Sequence, residues 1–251
     1  MLFWSLMLGL GNSLSTSGVL GDFSLDKVGT MVAWYKFDEG QSKGDNDGDG
    51  TEEVSSWSSS FGSTNALAQS TAIKQPAYNS GHLDFHQPSQ QKLEAGADFG
   101  GGGLTNFTIM ISISPDNFGG SRTILGRSTT SGNLLRYNSS ASIIKLQFQG
   151  AAVQMSVSEA FPTDRHIFTI TRDTSANPNP VKFYKNTTEV LSTTKTFGTQ
   201  GSLAQFNQVG CQAAASNPFD GQISEIAIWS NVLTDADRAA SIADMQVRTG
   251  V

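Results

Sequence analysis

Hydrophobic residues along this chain recur mostly at every second position, in short runs broken by Gly, Pro, Asn and Ser. In FTIMISI (107–113), Phe107, Ile109, Ile111 and Ile113 face one way while Thr108, Met110 and Ser112 face the other. That alternation is the mark of a strand with two distinct faces. SIIKLQF (142–148) repeats it through Ile144, Leu146 and Phe148, and MVAWYKF (31–37), VQMSV, HIFTITR and VKFYK keep the same period. Many short strands punctuated by turn residues predict an all-β protein, a two-sheet antiparallel jelly-roll sandwich. One segment changes period. Residues 219–242, FDGQISEIAIWSNVLTDADRAASI, read as a strand ending on Trp229, then a turn, then a short helix from 235 to about 245. Ile226 and Ile228 share one strand face, and Ala227 and Trp229 share the other. Thr234 falls at the helix N-cap, with Asp237 three residues on to complement the first turn.

The chain divides unequally. Residues 1–28 predict an extended N-terminal arm, and 29–251 the sandwich. Phe3, Trp4, Leu6, Met7, Leu8 and Leu10 make the start of the arm strongly apolar, and a Gly/Ser/Thr stretch follows. No basic residue precedes the apolar run and no clear small-x-small site follows it, so the run reads as a retained arm rather than a signal peptide. It is too short to cross a bilayer. Apolar surface of this kind has to be covered, and a neighbouring protein in an oligomeric assembly is the expected cover.

Composition narrows the function. With 251 residues, 37% hydrophobic residues and 26 glycines, one sizeable core is sustainable. Sixteen Lys and Arg against twenty-two Asp and Glu leave a net charge of −6 without any basic cluster. Nucleic-acid binding is thereby disfavoured, since it needs a cationic stripe. Cys211 is the single cysteine, so no intrachain disulfide forms, which fits folding in a reducing cytoplasm. It is expected to be a buried small apolar residue.

Several segments together resemble a known family. The strand–Trp–turn–helix of 219–242 is similar to the C-terminal signature of laminin G-like domains, in the concanavalin A-like lectin and glucanase superfamily. SGHLDF (80–85), NFTIMISI (106–113), TILGR (123–127) and HIFTITRDTSANPNPVKFYKNTTEV (166–190) resemble successive segments of that fold, over roughly residues 31–245. Asn186-Thr187 stands where the family's hairpin carries Asn-Gly, so a different turn is expected there. The opening LMLGLGNSLSTSG and the block VSSWSSSFGSTNALAQSTAIKQPAY (54–78) resemble tailed-bacteriophage virion proteins, in which an apolar arm precedes a laminin G-like domain. That resemblance implies a non-enzymatic virion structural protein, made in the host cytoplasm and displayed on the capsid or tail. Its arm would contact other virion proteins, and its outward sandwich would meet cell-surface glycans. The fold also hosts calcium-dependent lectins and polysaccharide hydrolases, which remain the alternatives.

Candidate chemistry is sparse. Asp45, Asp47 and Asp49 alternate with Gly and Asn in GDNDGDG (44–50), which is how a calcium loop begins. The twelfth position, Ser56, lacks the bidentate Glu of an EF-hand, though Glu52 or Glu53 stand near enough to replace it. The other reading is a solvated acidic turn. Glu94, Asp98 and Glu225 are the nearest approach to a hydrolase's acid set, but they do not form the required alternation and are expected on strand edges at the surface. His82, His86 and His166 are expected at strand ends or on the surface rather than around zinc. Trp34 and Trp229 lie in strand patterns and are expected in the core or under the arm. Trp57, inside Ser-rich VSSWSSS, is the expected exposed aromatic for stacking on a sugar.

Overall fold

The computed structural model describes residues 23–62, 66–116, 120–138, 143–148, 151–156, 164–176, 178–195 and 203–251. The arm residues Phe3, Trp4, Leu6, Met7, Leu8 and Leu10 lie outside these ranges. In chain order the strands are β1 (Met31–Lys36), β2 (Gln41–Gly44), β3 (Glu53–Trp57), β4 (Leu67–Ala68), β5 (Ala77–Asn79), β6 (His82–Phe85), β7 (Leu93–Glu94), β8 (Phe107–Pro115) and β9 (Ser121–Arg127). They continue with β10 (Thr130–Asn138), β11 (Ile143–Phe148), β12 (Ala151–Ser156), β13 (His166–Arg172), β14 (Asn179–Lys185), β15 (Thr188–Lys195), β16 (Gln208–Val209) and β17 (Gly221–Trp229). Helix α1 spans Asp235–Thr249.

Among the described residues every pairing between these strands is antiparallel, and the pairings form two runs. The first is β2-β3-β4-β7-β16-β9-β10-β11-β12. The second is centred on β17, flanked by β8, β13, β14 and β15 on one side and by β1 and β6 on the other. A single Glu53–Ala77 pairing, through β5, stitches the two runs at a corner. The alternating apolar faces meet between them: Ile109, Ile111 and Ile113 of β8 and Ile226 and Ile228 of β17 join Leu125, Leu135, Ile144, Leu146 and Phe148 in one buried cluster. Phe168 and Phe183 stack there, their ring centres 5.8 Å apart. Both layers are therefore held by the same burial, the dominant stabilising term in a sandwich without disulfides.

The opposite face of β17 and β8 is also covered. Met110, Ala227 and Trp229 pack with Trp34 against Ile242 and Met245 of α1. The helix starts where Thr234 accepts the Asp237 N–H at 3.1 Å, a cap that contributes about 1 kcal/mol. It extends four residues beyond the expected end because Met245 and Thr249 continue its buried stripe, and it stops at Gly250, whose φ of 71° suits a glycine. The β14–β15 turn keeps two residues. Asn186 takes the left-handed conformation, φ 51°, and exchanges hydrogen bonds with the Ile167 backbone through its Oδ1 (2.9 Å) and its own N–H (2.8 Å). Asn is among the residues that tolerate that conformation best after glycine.

Two sequence expectations are overturned by packing. Trp57 is fully buried, its indole N–H donating to the Lys36 carbonyl at 2.6 Å and its ring 5.5 Å from that of Tyr35. The reason is a bulge: β2–β3 register skips Ser55, so both Val54 and Trp57 turn inward. Glu225 is not a surface acid on a strand edge. It lies in the middle of β17 with none of its side chain exposed, paired with Arg248 of α1 at 2.7 Å.

Candidate functional site

The connection from β2 to β3 gathers acid. Carboxylate oxygens of Asp45, Asp47, Asp49 and Glu53 all lie within 4.8 Å of one another. The loop can fold this tightly because Gly48 and Gly50 supply backbone at φ 83° and 90°. Asp45 accepts the N–H groups of Gly48 (2.7 Å) and Gly50 (3.2 Å), and Asp49 accepts that of Thr51 (2.7 Å). Glu53, the first residue of β3, is 4% exposed and accepts the Asn46 N–H at 2.7 Å. Asn46 is fixed in turn by its side-chain amide, which donates to Gln75 Oε1 at 2.7 Å. Asp45, Asp47 and Asp49 are thus brought together as the spacing suggested, and Glu53 rather than Glu52 completes the set.

This donor set fits a hard divalent cation. It consists of oxygen atoms only, on a turning backbone with further carbonyls at hand, as calcium prefers. Four carboxylates sit close together, and no Lys or Arg forms an ion pair with any of them among the described residues. Such crowding of like charge is unfavourable without a counter-ion. Beside the loop lies a depression of about 310 Å³, bordered by Asp47, Asp49, Glu53, Gln75, His86 and Gln91. Its size suits one or two sugar rings.

The other candidates are absorbed by the fold. Glu225 accepts from the Trp34 indole at 2.5 Å and from Arg248 Nη2 at 2.7 Å; burial nevertheless pushes its carboxyl above the usual range. Asp98 is bridged by Arg127 at 3.1 Å, and Glu94 meets Lys92 at 3.2 Å. The histidines do not converge. His166 is 1% exposed at the start of β13, inside rather than at the surface, and His82 is held by Arg165 at 3.1 Å. Burial lowers the pKa of both. Cys211 is fully buried, and burial pushes its thiol up to about 11, so it is inert packing. Asp84 and Asp116 are both raised, first by burial and then by charge: Asp116 and Asp220 act on Asp84, and Asp220 on Asp116.

Two stacked antiparallel sheets closed by a Trp-ended strand and a capped helix define a lectin-like β-sandwich. The chain belongs to the Concanavalin A-like lectin/glucanases superfamily, through a laminin G-type family whose sequence profile matches residues 87–237. No curated protein matches the chain significantly by sequence. Among solved structures, domain 4 of AbnA, a GH43 extracellular arabinanase from Geobacillus stearothermophilus, in complex with arabinotriose, is similar with a TM-score of 0.54 and 14% identity. The match covers 86% of this chain and 99% of that one. Trypanosoma rangeli sialidase in complex with sialic acid is similar with a TM-score of 0.56 and 12% identity, over 87% of this chain but 33% of the sialidase. At these identities the likeness is one of fold.

Proposed function

We propose that the protein is a non-catalytic, lectin-like module that binds glycans, with calcium held by Asp45, Asp47, Asp49 and Glu53. The observation that carries this reading is the convergence of those four carboxylates within 4.8 Å at the edge of a sugar-sized depression. In the bound state the cation would neutralise the acid cluster and offer open coordination positions to sugar hydroxyls, while His86 and Gln91 supply hydrogen-bonding groups around the depression. The arabinotriose carried by the AbnA domain is a precedent for a sandwich of this size holding an oligosaccharide. The non-catalytic part of the reading is supported by Glu225 and Asp98, each occupied by an arginine within the fold. Retention on immobilised glycans, with calcium and then with chelator, tests the proposal. Retention that chelator abolishes is the expected result; no retention in either buffer would refute it.

The setting we propose is a virion, on the capsid or tail, with the sandwich displayed outward and Phe3, Trp4, Leu6, Met7, Leu8 and Leu10 anchoring it to other virion proteins. Support comes from the apolar leader and the phage-like sequence blocks. Deleting residues 1–14 should abolish incorporation into particles while the sandwich still folds. Normal incorporation of that truncation would remove the arm's role.

A further inference from the structure

The sheet that carries the acidic loop presents a different chemistry at its other end. On β10, Leu135 and Tyr137 point into the core, and on β11 so do Ile144, Leu146 and Phe148. Period two therefore turns Arg136 and Lys145 to the outward face. The two residues are direct cross-strand partners, which places like charges side by side, an unfavourable arrangement in a sheet. Neither forms an ion pair or a side-chain hydrogen bond with a described residue, and Arg136 Nε is buried without an acceptor. Burial lowers the pKa of both, and for Lys145 the Arg136 charge lowers it further.

Two polar side chains buried in the same sheet also lack partners. Thr123, the partner of Arg136 on β9, is fully buried with its hydroxyl unpaired. Gln208, on the β16 side, is fully buried with neither amide atom paired. Its strand neighbour Val209 is in the core, so Gln208 lies on the other face, where the Cys211–Gln212 backbone closes over Gly126 opposite it. Thr123 and Gln208 are sealed inside the fold, so of these four residues only Arg136 and Lys145 are open to a ligand. The chain is acidic overall, so two adjacent cations with no carboxylate paired to them among the described residues are the more conspicuous. An anionic group is the partner that resolves both the repulsion and the unfilled donors, since guanidinium and ammonium both bind oxyanions.

We propose that Arg136 and Lys145 bind the acidic group of a saccharide, a carboxylate or sulfate, on the outward face of β10–β11. This rests on the glycan-binding reading above and names its ligand class. The two cations hold the oxyanion.

Affinity electrophoresis of the full chain tests this in gels containing hyaluronan (carboxylate), heparin (sulfate) or neutral arabinan. We expect retardation by hyaluronan or heparin, and the pattern identifies which oxyanion is preferred. Lys145→Glu should weaken that retardation at least tenfold without lowering the melting temperature, because it puts an acid opposite Arg136. Lys185→Glu, on the other sheet, makes the same charge change and should leave retardation as it is. The proposal is overturned if Lys145→Glu is retarded like the wild type, or if Lys185→Glu loses retardation equally. Retardation by arabinan alone overturns it while leaving the glycan-binding reading intact. Retardation by none of the three polymers sinks both.

Discussion

Arg248 Nη2 lies 2.7 Å from Glu225 Oε1, joining the last turn of α1 to the centre of β17. Trp34 of β1 donates to the same oxygen at 2.5 Å, and the guanidinium also lies over the Trp34 ring, 5.0 Å from its centre. One buried carboxylate thus fixes a helix and two strands. Replacing one partner of such a pair is far more harmful than replacing both, because it strands a charge. Arg248→Met is expected to cost about 3–5 kcal/mol in urea unfolding, and the double variant with Glu225→Gln markedly less. A loss below about 1 kcal/mol for Arg248→Met would show that the carboxylate is solvated.

Asp84 gives the pH dependence. Its carboxyl is raised by burial and by the charges of Asp116 and Asp220. A raised folded-state pKa means the folded chain holds the proton more tightly. The associated stability is present in full below the unfolded value near 3.8 and is lost as pH rises through the folded value. At neutral pH the ionised group is a burden. Asp84→Asn should therefore melt higher than the wild type at pH 7, with the difference vanishing below about pH 3.8. A constant difference across pH would contradict the mutual repulsion.

Trp57 separates packing from recognition. Fully buried between Tyr35 and the Lys36 carbonyl, it belongs to the core. Trp57→Ala should destabilise by about 3–5 kcal/mol, seen as a shift in the urea midpoint. Glycan retention per folded molecule should not change. Loss of retention with unchanged stability would restore the sugar-stacking role.

Much of the sandwich was legible from period two alone. Ile226 and Ile228 divide from Ala227 and Trp229 between the two buried clusters just as the alternation of β17 implies. Thr234 caps α1 for the reason its position suggests, by accepting the Asp237 amide. What failed was set by events that period two does not record. The bulge at Ser55 turned Trp57 inward, and the Ser-rich surroundings gave no sign of it. Glu225 reads as a lone acid in QISEIAIW, because its partner Arg248 lies 23 residues away on an element whose docking the local pattern does not fix. Glu53 was in view as a possible ligand, but only the fold separates it from Glu52. Arg136 and Lys145 each sit at an outward position of a strand; their adjacency depends on the β10–β11 register, which sequence left open.

The carboxylate quartet also predicts a stability response. A ligand bound only by the folded chain stabilises it by about 2.7 kcal/mol at a hundredfold excess over its Kd. Saturating calcium should raise the melting temperature by the corresponding few degrees, with chelator reversing it. Asp47→Asn/Asp49→Asn should melt at one temperature in both buffers.

Titration calorimetry of calcium into chelator-treated protein tests the centre of this account most directly. One saturable site is expected for the wild type, and none after Asp47→Asn/Asp49→Asn. A wild-type chain that takes up no calcium, or a variant that binds it equally well, would contradict the assignment of Asp45, Asp47, Asp49 and Glu53 as its ligands.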